Sequence, residues 1–347
     1  MVMSEKQRIN SMDFMRVSSI FLIITFHLYI EWLRLSHRPS DDFISTFGTI
    51  GVSFFIIISG GALSASTKNI FKCSEFYLKR IATIYPAFWV SYLIAFLYIW
   101  IVNNNLTGGS DLKLLTISFF GLDGYLHSMY KTYYLVGEWF LGFIIIIYAL
   151  FPAVLYLYNK NKLLTLFISI VIACLSINFN DWFFSHSPLW NKYPLWNPTA
   201  RLPEFIFGMI LFDLIKERKA SLNYLIAISI VIIAATYYGG INIHKPLAIP
   251  ALCSIFMLIA IVYEKMPPLS IVNKKIELLS KYSFLAFLAH HVVIQQVIPQ
   301  NWIATSNGSQ LILLLFLALS ISFGYAVVIY PICDYARIIV LKVKSKT

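Results

Sequence analysis

The chain has 347 residues, of which 59% are hydrophobic and only 12% charged, about half the charged fraction of an ordinary soluble domain. With apolar runs recurring along its whole length, that composition excludes a soluble globular enzyme and points to a polytopic membrane protein. The net charge of +11 does not point to nucleic acid, because the lysines and arginines fall in short segments between apolar runs, where they set topology.

Ten candidate spans follow in order, near 14–33, 43–65, 81–102, 135–158, 163–179, 200–215, 221–239, 247–263, 282–299 and 310–333. Each is close to the roughly 20 residues a helix needs to cross the hydrocarbon. The first follows a short polar N-terminus, lacks a small-residue cleavage site and is read as a retained span. The apolar piece LLTISFFGLDGYL at 114–126 is too short and glycine-interrupted to cross, and is expected to be re-entrant or interfacial. A Trp-, Pro- and His-rich external segment at 180–199 is expected to cap a cavity or lie along the interface. With the N-terminus inside, the basic residues outside are Arg34, Arg38, Lys113, Lys131, Lys192, Arg201 and Lys245, and Arg16 lies within the first span. That leaves 19 of the 27 basic residues inside, so both termini are expected to face the cytoplasm. The expected fold is all-α, about ten transmembrane helices in a single domain over 1–347 with no appended soluble domain. No internal repeat of the kind found in many transporters is evident. The four cysteines lack pairing or metal-type spacing and read as ordinary thiols, and no metal site is expected.

The first span carries RVSSIFLIITFH at 16–27. Eleven residues at about 100° each bring Arg16 and His27 to within about 20° of one helix face, and about 16 Å apart along the axis. Taken singly, Arg16 reads as a snorkelling anchor or a functional cation, and His27 as a packing residue or a proton-handling group. Their shared face favours function, with both expected to point into one interior cavity.

The segment RINSMDFMRVSSIFLIITFH resembles the N-terminal motif of the acyltransferase 3 family of integral membrane O-acyltransferases, an arginine, ten residues and a histidine. Asp13 matches the family's acidic residue three before the arginine. Further pieces resemble the family in order: GTIGVSFFIIISGGALS (48–64), FYLKRIATIYPAFW (76–89), YLVGEWFLGFIIIIYALFP (134–152), RLPEFIFGMIL (201–211) and YSFLAFLAHHVVI (282–294). Thr83 stands where the family often has a second arginine, and Phe284 and Phe287 where tyrosine is common.

The resemblance implies acyl transfer, most simply of acetyl from acetyl-CoA on the cytoplasmic side, to a hydroxyl of a lipid-linked or cell-surface glycan, at a bacterial inner membrane. Coenzyme A enters as donor substrate, with no bound cofactor; membrane lipids, the acyl-CoA and the saccharide acceptor are the expected partners. His27 is implied as general base, for which a neutral imidazole suits, and Arg16 as a contact to donor phosphates. Arg80 is a second phosphate contact or a positive-inside anchor. Asp13, one turn before Arg16, pairs with it or serves as an acid at a helix N-terminus. Glu138 is expected to orient His27, stabilise its imidazolium or bind acceptor hydroxyls, or else to be an interfacial carboxylate. Adjacent His290 and His291 diverge by about 100°, so at most one is expected to face the site; the family pattern selects His290. Ser59, with Gly60, fits a carbonyl contact or close helix packing, and Arg201–Glu204 fits an i,i+3 pair at a helix start. His37, His127, His186 and His244 are expected to be solvated. Two other readings stay open, a glycan exporter and a non-catalytic subunit of a polysaccharide assembly complex.

Overall fold

The computed structural model describes residues 10–39, 42–67, 71–103, 111–133, 135–217, 222–267 and 270–343. Seven of the basic residues in the charge argument (Lys6, Arg8, Lys68, Arg218, Lys219, Lys344 and Lys346) lie outside the described residues. In order, the α-helices are α1 (Asn10–Ser36), α2 (Asp42–Ser66), α3 (Cys73–Asn103), α4 (Leu115–Phe119), α5 (Asp123–Leu126), α6 (Glu138–Lys160) and α7 (Lys162–Asn178). They continue as α8 (Asn180–His186), α9 (Leu202–Glu217), α10 (Leu222–Tyr238), α11 (Ile249–Lys265), α12 (Ser270–Val292), α13 (Gln300–Thr305) and α14 (Gly308–Val343). No strand occurs among the described residues.

A helix overlaps each of the ten expected spans; a backbone in hydrocarbon must satisfy its hydrogen bonds internally, which a helix does. Six of these, α1, α2, α3, α6, α11 and α14, are long and apolar enough to cross a membrane; α7 reaches that criterion only together with α8, across a 74° bend. The ninth expected span, 282–299, differs most. α12 starts at Ser270, through the polar stretch NKKIELLSK, and ends at Val292 in a π-turn over Val293–Val297. Hydropathy sees only its apolar second half. Similarly, α3 begins at Cys73 and carries Lys79 and Arg80 inside the helix.

α1 is central, lying against α2, α11, α12 and α14. α2 and α9 cross closely because each presents a glycine to the other's backbone. A Cβ on Gly60 would overlap the Phe205 carbonyl, and one on Gly208 the Ile57 carbonyl. Gly60 therefore has the close-packing role typical of small residues in membrane helices. Two apolar clusters fill the interior, the larger joining α1, α2, α3, α6, α9, α12 and α14, and the smaller packing Met15, Phe54, Phe212 and Phe256. Exposed Leu93, Phe167, Val231 and Phe316 lie on the outer faces of α3, α7, α10 and α14, as expected where lipid replaces water. The 114–126 piece forms the short helices α4 and α5, broken at Gly121 with φ +72°, and does not form a span. It packs on the start of α6, with Asp123 buried and accepting from Ser118 Oγ at 2.7 Å.

Candidate active site

α1 carries Arg16 near its first turns, where α12 crosses it. Arg16 Nη1 lies 3.3 Å from Asp13 Oδ1 and donates to Ser280 Oγ at 2.9 Å. Ser280 Oγ in turn donates to Asp13 Oδ1 at 2.6 Å. Asp13 thus holds the Arg16 rotamer through an i,i+3 contact, reinforced from a second helix. The guanidinium faces a cavity of about 230 Å³ lined by Arg16, Ser59, Arg80, Thr83, Tyr148 and Ser283, among others. Arg80 lies 5.8 Å from the ring centres of both Phe76 and Tyr148, and its buried Nε has no hydrogen-bond partner. A cationic fork held between aromatic faces beside a cavity suits an anion. Ser59 lines the same wall, but its hydroxyl donates to Phe55 O at 2.7 Å on its own helix.

His27 lies three turns further along α1 and lines a different cavity. This second cavity, of about 400 Å³, is lined by Thr49, Glu138, Trp139, Trp196, Arg201 and His244 as well as His27. The expectation of one shared cavity for Arg16 and His27 is therefore corrected. Phe140 and Phe287 line both spaces. Their rings pack on each other and on Phe55 with centroids 5.7–6.0 Å apart. Three aromatic rings from α2, α6 and α12 fill the middle that the helical wheel of α1 alone left open.

Glu138 is the first residue of α6, with φ +48°, following Gly137 at φ +86°. A non-glycine residue in the left-handed region stores strain and is held there by its surroundings. Here α5 does the holding, since a Cβ on Gly124 would overlap the Glu138 carbonyl. Glu138 is buried at 6% exposure, inside the protein and not on its surface. Its Oε1 lies 2.8 Å from His27 Nε2, 2.9 Å from His290 Nε2 and 2.5 Å from His291 Nε2.

The convergence of both adjacent histidines corrects the expectation that only one faces the site. Glu138 lies between their directions, so imidazoles of full length reach one oxygen from two sides. The π-turn that ends α12 begins two residues after His291, with Ile298 N donating to Val293 O at 2.9 Å; such turns are frequent at functional sites. His290 is fully buried, and its Nδ1 donates to Phe287 O at 2.5 Å.

The rim of this cavity includes Trp196 and His244, which lie outside every motif noted in the sequence. Trp139 and Trp196 stack nearly parallel, 5.0 Å apart, so the 180–199 segment caps this cavity. His244 is half-buried, its Nδ1 2.8 Å from Thr49 Oγ1, which corrects its expected solvation; His37, His127 and His186 are exposed. Arg201 forms the expected pair with Glu204, at 2.7 Å, and both bond Ser53 Oγ inside the protein.

These features define a helical membrane protein with a buried histidine–carboxylate centre at one of two cavities of different chemistry. The chain belongs to the acyltransferase 3 family: residues 9–330 match that family's acyltransferase domain. It is 25% identical over 273 residues to acyltransferase MdmB of Streptomyces mycarofaciens, an alignment covering 73% of this chain and 70% of that protein. No solved structure matches the chain.

Proposed function

We propose that this acyltransferase is an O-acyltransferase that takes an acyl group, most simply acetyl, from acyl-CoA on the cytoplasmic side and passes it to a glycan hydroxyl reached from the outside. The observation that carries this reading is the separation of two cavities along α1, one cationic beside Arg16 and Arg80, the other containing His27 and Glu138. The phosphates of coenzyme A suit the arginines at the first, through bidentate contacts. Its pantetheine arm would pass Phe140 and Phe287 to bring the thioester to His27. The acceptor oxygen then attacks the thioester carbonyl while the His27 imidazole takes its proton, and Glu138, 2.8 Å from His27 Nε2, stabilises the imidazolium. Collapse of the adduct releases coenzyme A thiolate, which receives that proton, and leaves the ester on the acceptor. Stacked Trp139 and Trp196 give the outer cavity an aromatic wall suited to the apolar face of a sugar ring.

The same reading has ten spans with both termini cytoplasmic, supported by the bias of basic residues and by a helix overlapping each expected span. It places the protein in a bacterial inner membrane. The test is mass spectrometry of surface glycans from cells with the protein, without it, and with His27→Ala. Acyl groups present only with the intact protein support the reading. Glycans that reach the surface through the protein and carry no added acyl group in any strain would refute it in favour of an exporter.

A further inference from the structure

One contact at Glu138, that of His290, is not an ordinary hydrogen bond. Because Phe287 O can only accept, His290 Nδ1 must carry the imidazole hydrogen. In the neutral ring its Nε2 is then a bare lone pair, yet that atom lies 2.9 Å from Glu138 Oε1, itself an acceptor. Neither His290 Nε2 nor Glu138 Oε1 makes a hydrogen bond of acceptable geometry, although the distance is short enough for one. Two more imidazole Nε2 atoms close on the same oxygen. A buried carboxylate oxygen with one bare imidazole lone pair against it and two further imidazoles around it, inside a membrane protein, is a site that a cation would stabilise.

We infer that His290, His291 and Glu138 bind one divalent transition metal of the zinc type, with His27 beside its open coordination position. Two imidazoles and a carboxylate are a ligand set that zinc accepts when it keeps one position for substrate. The bond from His290 Nδ1 to a backbone carbonyl is the outer contact that fixes a metal-binding tautomer. All four candidate donor atoms lie within 4.8 Å of one another. Bonds of about 2.0–2.1 Å in a tetrahedron hold donors about 3.3 Å apart, so the Oε1 contacts open by roughly half an ångström when the ion enters. His27 and Glu138 line the outer cavity, whereas His290 and His291 do not. That placement puts the open position toward substrate. The ion's role as a Lewis acid on the thioester carbonyl rests on the acyl-transfer reading, but its binding does not.

The test is elemental analysis of the full-length protein, purified in detergent through a tag without histidines and with neither chelator nor metal added. About one zinc or similar ion per chain is expected, falling at least tenfold in His290→Ala and in His291→Ala. His27→Ala is expected to keep the ion and lose acyl transfer. Misfolding is separated by titrating Zn²⁺ into chelator-stripped, monodisperse wild type, whose thermal midpoint is expected to rise, and into monodisperse His291→Asn, whose midpoint is expected to stay unchanged. Cobalt(II) in the stripped wild type is expected to give the visible absorption of a tetrahedral site. A folded wild type that contains no metal, fails to bind Zn²⁺ at micromolar concentration and transfers acyl groups at full rate would overturn the inference. Metal bound at this cluster without any acyl transfer would uphold it while refuting the acyl-transfer reading.

Discussion

Glu138→Gln keeps the shape of the side chain but removes the charge on the oxygen that three imidazoles approach within 2.5–2.9 Å. Glu138 is 6% exposed, so solvent cannot replace the lost carboxylate around an imidazolium. Removing one partner of a buried ion pair costs about 3–5 kcal/mol. If the transition state bears that cost in full, the rate falls by about 10² to 10⁴, at about 1.36 kcal/mol per factor of ten. The donor KM should stay within about threefold of wild type, because Arg16 lies about 16 Å from His27 along α1. The assay is transfer of radiolabelled acetyl from acetyl-CoA into glycan in inverted membrane vesicles, with the variant shown to be monodisperse. A kcat within threefold of wild type, or a defect confined to donor KM, would refute the role given to Glu138.

Arg16→Gln and Arg80→Gln should each raise the donor KM by about 10- to 100-fold, the equivalent of a lost charged hydrogen bond of about 1.5–3 kcal/mol; kcat measured at saturating donor should change little. Trp196→Ala removes half of the Trp139–Trp196 stack, and steady-state kinetics with both substrates varied should show a higher acceptor KM with an unchanged donor KM. Glu204→Ala leaves Arg201 buried without its carboxylate, a loss of about 3–5 kcal/mol visible as a lower thermal midpoint. The double variant Arg201→Met with Glu204→Ala should recover much of that loss.

Much of the architecture was legible because hydropathy reports burial in lipid directly. The runs at 14–33, 43–65 and 310–333 each lie inside a helix. Element ends were less legible where charge enters a helix, as at Lys79 and Arg80 in α3 or the NKKIELLSK start of α12. Arg16 and His27 were legible as a pair because one continuous helix sets their spacing. Their assignment to separate cavities was not, since Phe55, Phe140 and Phe287 come from three other helices. The cluster was legible in part: the family resemblance put His27, Glu138 and His290 in one set but left out His291. Residues 27, 138, 290 and 291 have no motif spacing among them, and they meet only because α5 fixes the backbone of Glu138 and α12 packs on α1. His244 had no signal at all, since its contact to Thr49 depends on a loop folding back over α2.

The central claim, that His27 handles the proton of the acyl-accepting hydroxyl, is tested most directly by the transfer rate of purified His27→Gln. General-base contributions are about 10²- to 10⁴-fold. The rate should therefore fall by at least about 100-fold, while coenzyme A binding and thermal midpoint match wild type. Transfer at the wild-type rate by a folded His27→Gln protein would contradict the account.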